Sequence, residues 1–268
     1  MPISRNIVLP QNITTVKLPV WRTVGACYAF VAHNPIQLLR ISWLALLMLL
    51  PVSALALWLV SPWQAPTGQG PAGFTSEILR FLAGAAQLPF IASIAVAWHR
   101  LVLREERIAD WRYLRFDSVV WQYAGVCLLL NLLLLVPTLN AALRGDPKLT
   151  GPAALVGSAI LFLVLPRASL MLPAIALGRD LSPTEAWRAS RGNTWRLALA
   201  TMLCLLPLLL LIGLAVIHAE RSFGAARMIV TPVASALVAL ATTISVTLLS
   251  LAFDFFFRQR DPRKFAPA

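Results

Sequence analysis

Charge is what this sequence has least of. Asp, Glu, Lys and Arg make up 13% of its 268 residues, about half the share of a soluble domain. Acidic residues are scarcest, 11 in all. They are too scattered for the paired carboxylates of acid–base catalysis or a Mg²⁺ site. There are three histidines, His33, His99 and His218, with no ligand spacing between them. The three cysteines, Cys27, Cys127 and Cys204, stand far apart without a CxxC pair. That excludes a zinc motif and a disulfide framework, and leaves cysteine as a small apolar residue. A Gly-rich phosphate loop, a GxSxG elbow and an HExxH motif are all missing. The sequence therefore predicts a non-enzyme, with no catalytic residue, no bound metal and no cofactor.

What fills the space is apolar. Hydrophobic residues reach 59% and the mean hydropathy is +0.75. The 23 Lys and Arg outnumber the acids, giving a net charge of +12. A nucleic-acid binder can be that basic but not that apolar, so no nucleic-acid partner is expected. Disordered chains and coiled coils are excluded by the same apolar share. A multi-spanning membrane protein remains.

A bilayer core takes about 20 apolar residues per helix. Six stretches qualify: Ile41–Leu59, Leu82–Trp98, Val119–Val136, Ala153–Leu177, Leu197–Val216 and Ile229–Phe253. The first starts too deep in the chain to be the core of a signal peptide. With the N-terminus placed inside, 17 of the 23 basic residues fall in inside segments, five fall outside and Arg167 lies within a span. The positive-inside rule then places both termini in the cytoplasm. Residues 1–20 read as an N-terminal tail, 21–257 as the membrane domain and 258–268 as a basic C-terminal tail. Trp58 and Trp63 mark the outer boundary. Trp21, Trp43, Trp98, Trp111, Trp121, Trp187 and Trp195 gather at the inner one, where indole rings favour the headgroup level.

The inside segments share a pattern. Asn34, Asp117 and Asn193 each offer an N-cap before an inner tryptophan and a long apolar run. The predicted fold is all-α: six transmembrane helices arranged as three hairpins, about 34–105, 117–190 and 193–264. Short amphipathic helices should lie along the inner leaflet between them. One is Trp21–Ala32, with Val24, Cys27, Tyr28 and Val31 on one face. The other follows Ser182, whose spacing to Glu185 is that of a capping box with Pro183 at the first helical position. On it, Ala186 and Trp187 would face lipid while Arg188 and Arg191 face phosphate.

Three motifs carry a resemblance. They are Ala97-Trp98-His99-Arg100-Leu101-Val102-Leu103-Arg104-Glu105 followed by Leu114-Arg115-Phe116, then Arg167-Ala168-Ser169-Leu170-Met171-Leu172-Pro173-Ala174, and then Ala186-Trp187-Arg188-Ala189-Ser190-Arg191-Gly192-Asn193-Thr194-Trp195-Arg196. They resemble motifs of uncharacterised bacterial inner-membrane proteins, the YciC-like proteins and the membrane domain attached to some glycerophosphodiester phosphodiesterases. The likeness runs from about residue 20 to 255. It implies a six-helix module in the bacterial inner membrane and no catalytic residues. The soluble phosphodiesterase domain of some relatives is absent, so that activity does not follow.

Polar groups within the apolar runs are the ligand candidates. Arg167 sits in a 25-residue apolar run between Pro166 and Pro173. An unpaired arginine at mid-depth costs from about 3 to more than 10 kcal/mol. It must therefore pair, cap carbonyls freed by a proline kink, or meet a lipid headgroup drawn inward. Thr243, Thr247, Ser250 and Asp254 form one polar face of the last span, with Asp254 a possible partner for Arg167. That face lines a hydrated path or packs against another helix. Gln87 and Asn131 are single amides suited to bonds between helices, and Ala85, Pro89, Ser93 and Ala97 form a stripe for close packing. At the inner interface stand Trp98, His99, Arg100, Arg115, Trp187, Arg188, Arg191, Trp195 and Arg196. The expected partners are membrane lipids, through anionic headgroups of the cytoplasmic leaflet, or a membrane protein that the chain accompanies as an accessory or assembly factor. The competing expectation is a small transporter or channel whose cavity is lined by the intramembrane polar groups.

Overall fold

The computed structural model describes residues 17–60, 71–144, 159, 162–221 and 225–258. All the regular structure in them is helical, with no strand. The elements are α1 (Val20–His33), α2 (Pro35–Val60), α3 (Pro71–Arg104), α4 (Ser118–Arg144), α5 (Met171–Ala176), α6 (Pro183–Ala189), α7 (Thr194–Arg221) and α8 (Ala225–Phe253). The last widens into a π turn at Asp254–Arg258. Residues 162–168 are also helical and lead into α5.

Four helices are long and apolar enough to cross a membrane, within Pro35–Val52, Phe81–Arg104, Thr194–Leu214 and Ala239–Phe257. Two further apolar helical stretches, Ser118–Leu133 within α4 and Phe162–Ala176 leading through α5, are shorter among the described residues. They correspond to the third and fourth predicted spans. The expected C-terminal tail beyond 258, most of the N-terminal tail, the first part of the fourth span, Trp63 and the side chain of Trp58 lie outside the described residues.

Helix α3 is the hub. It packs against α2, α4, α5 and α8, while α7 pairs with α8 and α1 lies across both. Of the small residues expected to allow close approach, Ser93 and Ala97 are buried, while Ala85 and Pro89 are half-buried; Ala92 and Ala95 join the buried pair at the C-terminal half of the helix. A second cluster around Leu18, Leu103, Leu170, Leu197, Phe253 and Phe256 closes the end of the bundle where α3 finishes. The flanks are apolar instead of polar. Leu47, Leu55, Leu129, Leu209, Leu210 and Leu214 are all exposed, a surface that suits hydrocarbon and that water penalises.

Several local expectations change here. The face of α1 that holds Cys27 and Val31 packs against protein, not lipid: Cys27 is fully buried and its thiol donates to Ile244 O at 3.2 Å. Of the three expected N-caps, Asp117 acts as one, accepting from Val120 N at 3.0 Å. Asn34 instead donates to Phe30 O at 2.8 Å and closes α1. Asn193, fully buried, accepts from Leu18 N at 2.8 Å, and Arg196 donates to Leu18 O at 2.9 Å. The chain around Leu18 is therefore stitched into the bundle and is not part of a free tail. Arg196, placed at the leaflet by its sequence, is half-buried by that task.

The capping box of α6 forms as its spacing predicts. Ser182 Oγ accepts from Glu185 N and Ser182 N donates to Glu185 Oε2. Its Ala186 is fully buried against the second cluster, however, not turned to lipid. Gly192, at φ +79°, makes the left-handed turn from α6 into α7. Ser182→Ala is expected to cost about 1 kcal/mol, the usual worth of an N-cap. Thermal unfolding in detergent checks it, and an unchanged midpoint would mean that packing alone holds α6.

Candidate anion-binding site

Helix α3 ends because Glu105 adopts φ +58°, a left-handed conformation usually left to glycine. The chain then runs without regular structure to Asp117, a strap carrying Arg107, Arg112 and Arg115. Side chains from two helices hold it. Gln37 on α2 donates to Ile108 O at 3.3 Å and accepts from Ile108 N at 3.0 Å. Arg40 adds a bond to Ile108 O at 3.2 Å and stacks 4.9 Å from the centre of the Trp111 ring. Trp43 Nε1 donates to Trp111 O. On α3, buried Ser93 Oγ accepts from Arg115 N at 3.1 Å.

Between strap and helix lies a cavity of about 380 Å³. Arg100 and Ala97 of α3 form its back, and residues between Glu106 and Arg115 its front. Four arginines line it, Arg100, Arg107, Arg112 and Arg115, against two acids. Both acids are engaged. Glu106 Oε1 is 3.3 Å from Arg104 Nη1, and Asp110 Oδ1 accepts from Arg112 N at 2.9 Å. No carboxylate among the described residues pairs with the guanidinium groups of Arg107, Arg112 or Arg115. Burial pushes the Tyr113 phenol above its ordinary pKa, against the opposing pull of the Arg100 and Arg115 charges. It therefore stays a protonated donor beside them. Guanidinium groups bind carboxylate and phosphate in two-pronged fashion, so this lining has the chemistry that suits an anion.

Arg100 and Arg104 have a second task. Arg100 Nε donates to Ala176 O and Arg104 Nη2 to Leu177 O, each at 2.9 Å. These are the free carbonyls at the C-terminus of α5, where cations are favoured.

Arg167 goes elsewhere. The helix at 162–168 breaks at a turn over Ser169 and Leu170, between Pro166 and Pro173. The fourth predicted span is thus not one straight rod, and Arg167 is carried to α6. Its Nε donates to Ser190 Oγ at 2.9 Å and its Nη2 to Trp187 O, and its carbon centre stands 3.6 Å over the Trp187 ring. At 7% exposure it is sealed. No ion pair joins it to Asp254 among the described residues, because its donors reach α6 instead.

The polar face of α8 is closed too. Thr243, Thr247 and Ser250 are at most 1% exposed, and each donates to a carbonyl four residues earlier in its own helix. Opposite them on α3 stand Trp98 and His99, both fully buried. Trp98 Nε1 donates to Thr247 Oγ1 at 2.7 Å. Ser250 already donates to Val246 O, so His99 Nδ1, 2.7 Å from Ser250 Oγ, carries the proton. His99 Nε2, 3.1 Å from Tyr123 Oη, accepts. This corrects the placing of Trp98 and His99 at the leaflet: they lock two helices together. Asn131 is exposed and donates to Cys127 O of its own helix rather than to another helix. Gln87 is half-buried.

The sequence thus named two of the pocket's arginines, Arg100 and Arg115. It missed Arg107, Arg112 and Tyr113, whose signal was a run of basic and aromatic residues between two spans. Trp187, Arg188, Arg191 and Trp195 are exposed at the same end of the bundle. No family model, curated protein or solved structure matches the chain.

Proposed function

We propose that the chain is a six-span protein of the bacterial inner membrane with both termini in the cytoplasm. It binds anionic headgroups of the cytoplasmic leaflet without catalysing a reaction, as an accessory or assembly factor for a membrane-protein partner. The YciC-like resemblance fits this reading. The observation that carries it is the open cavity lined by Arg100, Arg107, Arg112 and Arg115, at the end where Arg188, Arg191, Trp187 and Trp195 are also exposed. A surface of arginines and tryptophans suits the headgroup layer. The transport reading rests on a polar path along α8. Thr243, Thr247 and Ser250 are instead closed by their own carbonyls and by Trp98 and His99.

Purification in a mild detergent with mass spectrometry of the bound lipids tests the proposal. Anionic phospholipid should be retained in excess over zwitterionic lipid. Equal retention of the two, or none of either, would overturn it.

A further inference from the structure

Resting on that headgroup reading, we infer that the cavity between α3 and the 105–117 strap is a site for a phosphomonoester, a terminal phosphate joined to carbon through one oxygen. Charge is the first argument. The lining carries four arginines and two acids. The acids already have partners in Arg104 and the Arg112 amide, so neither needs a cation from outside. Because Glu106 is paired with Arg104 from outside the lining, four arginines stand against Asp110 alone; a phosphomonoester, with about −1.5 to −2 at pH 7, offsets more of that excess than the single charge of a phosphodiester.

Geometry is the second argument. A monoester offers three terminal oxygens and a diester two. The donors come from opposite walls: Arg100 from α3, and Arg112, Arg115 and the protonated Tyr113 from the strap. Arg100 Nε is already committed to Ala176 O, which fixes the plane of its fork and leaves its terminal nitrogens for a ligand. Arg115 is fixed through its backbone N on Ser93 Oγ, so its side chain is free of any holding role. A volume of about 380 Å³ is at the small end of ligand cavities and accommodates a phosphate with its glycerol. The phosphate can belong to a lipid or to a soluble phosphomonoester, whose chemistry is the same.

The test uses the detergent-purified full chain and three probes: dihexanoyl phosphatidic acid, dihexanoyl phosphatidylglycerol and glycerol 3-phosphate. Calorimetric titration should show phosphatidic acid binding about tenfold more tightly than phosphatidylglycerol, the worth of one added charge-assisted hydrogen bond. Its affinity should rise several-fold as pH passes upward through about 6, where the monoester loses its second proton. Phosphatidylglycerol should show no such rise.

The titratable and charged groups facing the ligand are Arg100 of α3, the strap's Arg107, Arg112 and Arg115, Tyr113, and the acids Glu106 and Asp110, with Arg40 of α2 behind the strap. Both acids oppose an anion, so neither supplies a gain in its affinity, and a rising affinity belongs to the ligand. Arg115→Gln should cut phosphatidic acid affinity about tenfold while the unliganded protein unfolds at the same temperature. Tight glycerol 3-phosphate binding supports the site with a soluble source, and binding of phosphatidic acid alone supports it with a lipid source. Equal, pH-independent binding of the two lipids would overturn the monoester site and leave headgroup binding standing. Binding of no probe would overturn both.

Discussion

Trp98→Ala should lower the stability of the folded chain by about 3–5 kcal/mol, the range for emptying a buried aromatic position. The side chain is fully buried at the α3–α8 contact, edge-on to Phe30 at 6.0 Å between ring centres, with its indole N–H bonded to Thr247 Oγ1 at 2.7 Å. Neither helix can collapse into the space without breaking the adjoining His99–Ser250 bond. Trp98→Phe keeps most of the apolar volume and loses the hydrogen bond, so it should cost about 1–2 kcal/mol. Denaturant unfolding in detergent reads both. A tryptophan in a lipid belt gives a different result, because lipid refills the space and alanine costs little more than phenylalanine. Equal effects of the two substitutions would return Trp98 to the membrane interface.

That contrast shows what the sequence carried and what it did not. The spacing of Thr243, Thr247 and Ser250 showed that one face of α8 points inward, and it does. The residues opposite were hidden. A tryptophan and histidine at the end of an apolar run give the same signal whether the ring meets lipid or a neighbouring helix. Only the packing of α3 against α8 decides it. The three capping candidates take up different tasks. Asp117 accepts from Val120 N and caps α4. Asn34 donates its amide backwards to α1, and Asn193, an acceptor like Asp117, takes the Leu18 amide from 175 residues away. The pocket was half legible. Its arginines were counted, but as evidence for which side of a membrane the loop occupies. The capture of the strap by Gln37, Arg40, Trp43 and Ser93, which turns loose charges into a lined cavity, depends on contacts no spacing encodes.

Arg167→Leu should destabilise the chain by about 3 kcal/mol. It removes two hydrogen bonds from a charged donor, each worth about 1.5–3 kcal/mol, and a cation–π contact worth about 1 kcal/mol. Against these stands the cost of holding a charge at a site 7% exposed, which leucine relieves. Arg167→Lys should recover part of the loss, because Ser190 Oγ and Trp187 O lie 3.3 Å apart, within reach of one ammonium, while the stacking of the planar guanidinium on the Trp187 ring is lost. Trp187→Leu keeps the backbone carbonyl as acceptor and loses the ring 3.6 Å away, so about 1 kcal/mol is expected. A double-mutant cycle of Arg167→Leu with Ser190→Ala should show a coupling of about 1 kcal/mol. The sign of the first substitution is what matters most. If the Arg167 charge were held in hydrocarbon for a lipid phosphate, leucine would remove a penalty of about 3 kcal/mol or more and the protein would become more stable. A fall in stability ties Arg167 to α6. The turn at Ser169 and Leu170 is then the device that brings a charge out of an apolar run and fastens it to the helix that follows.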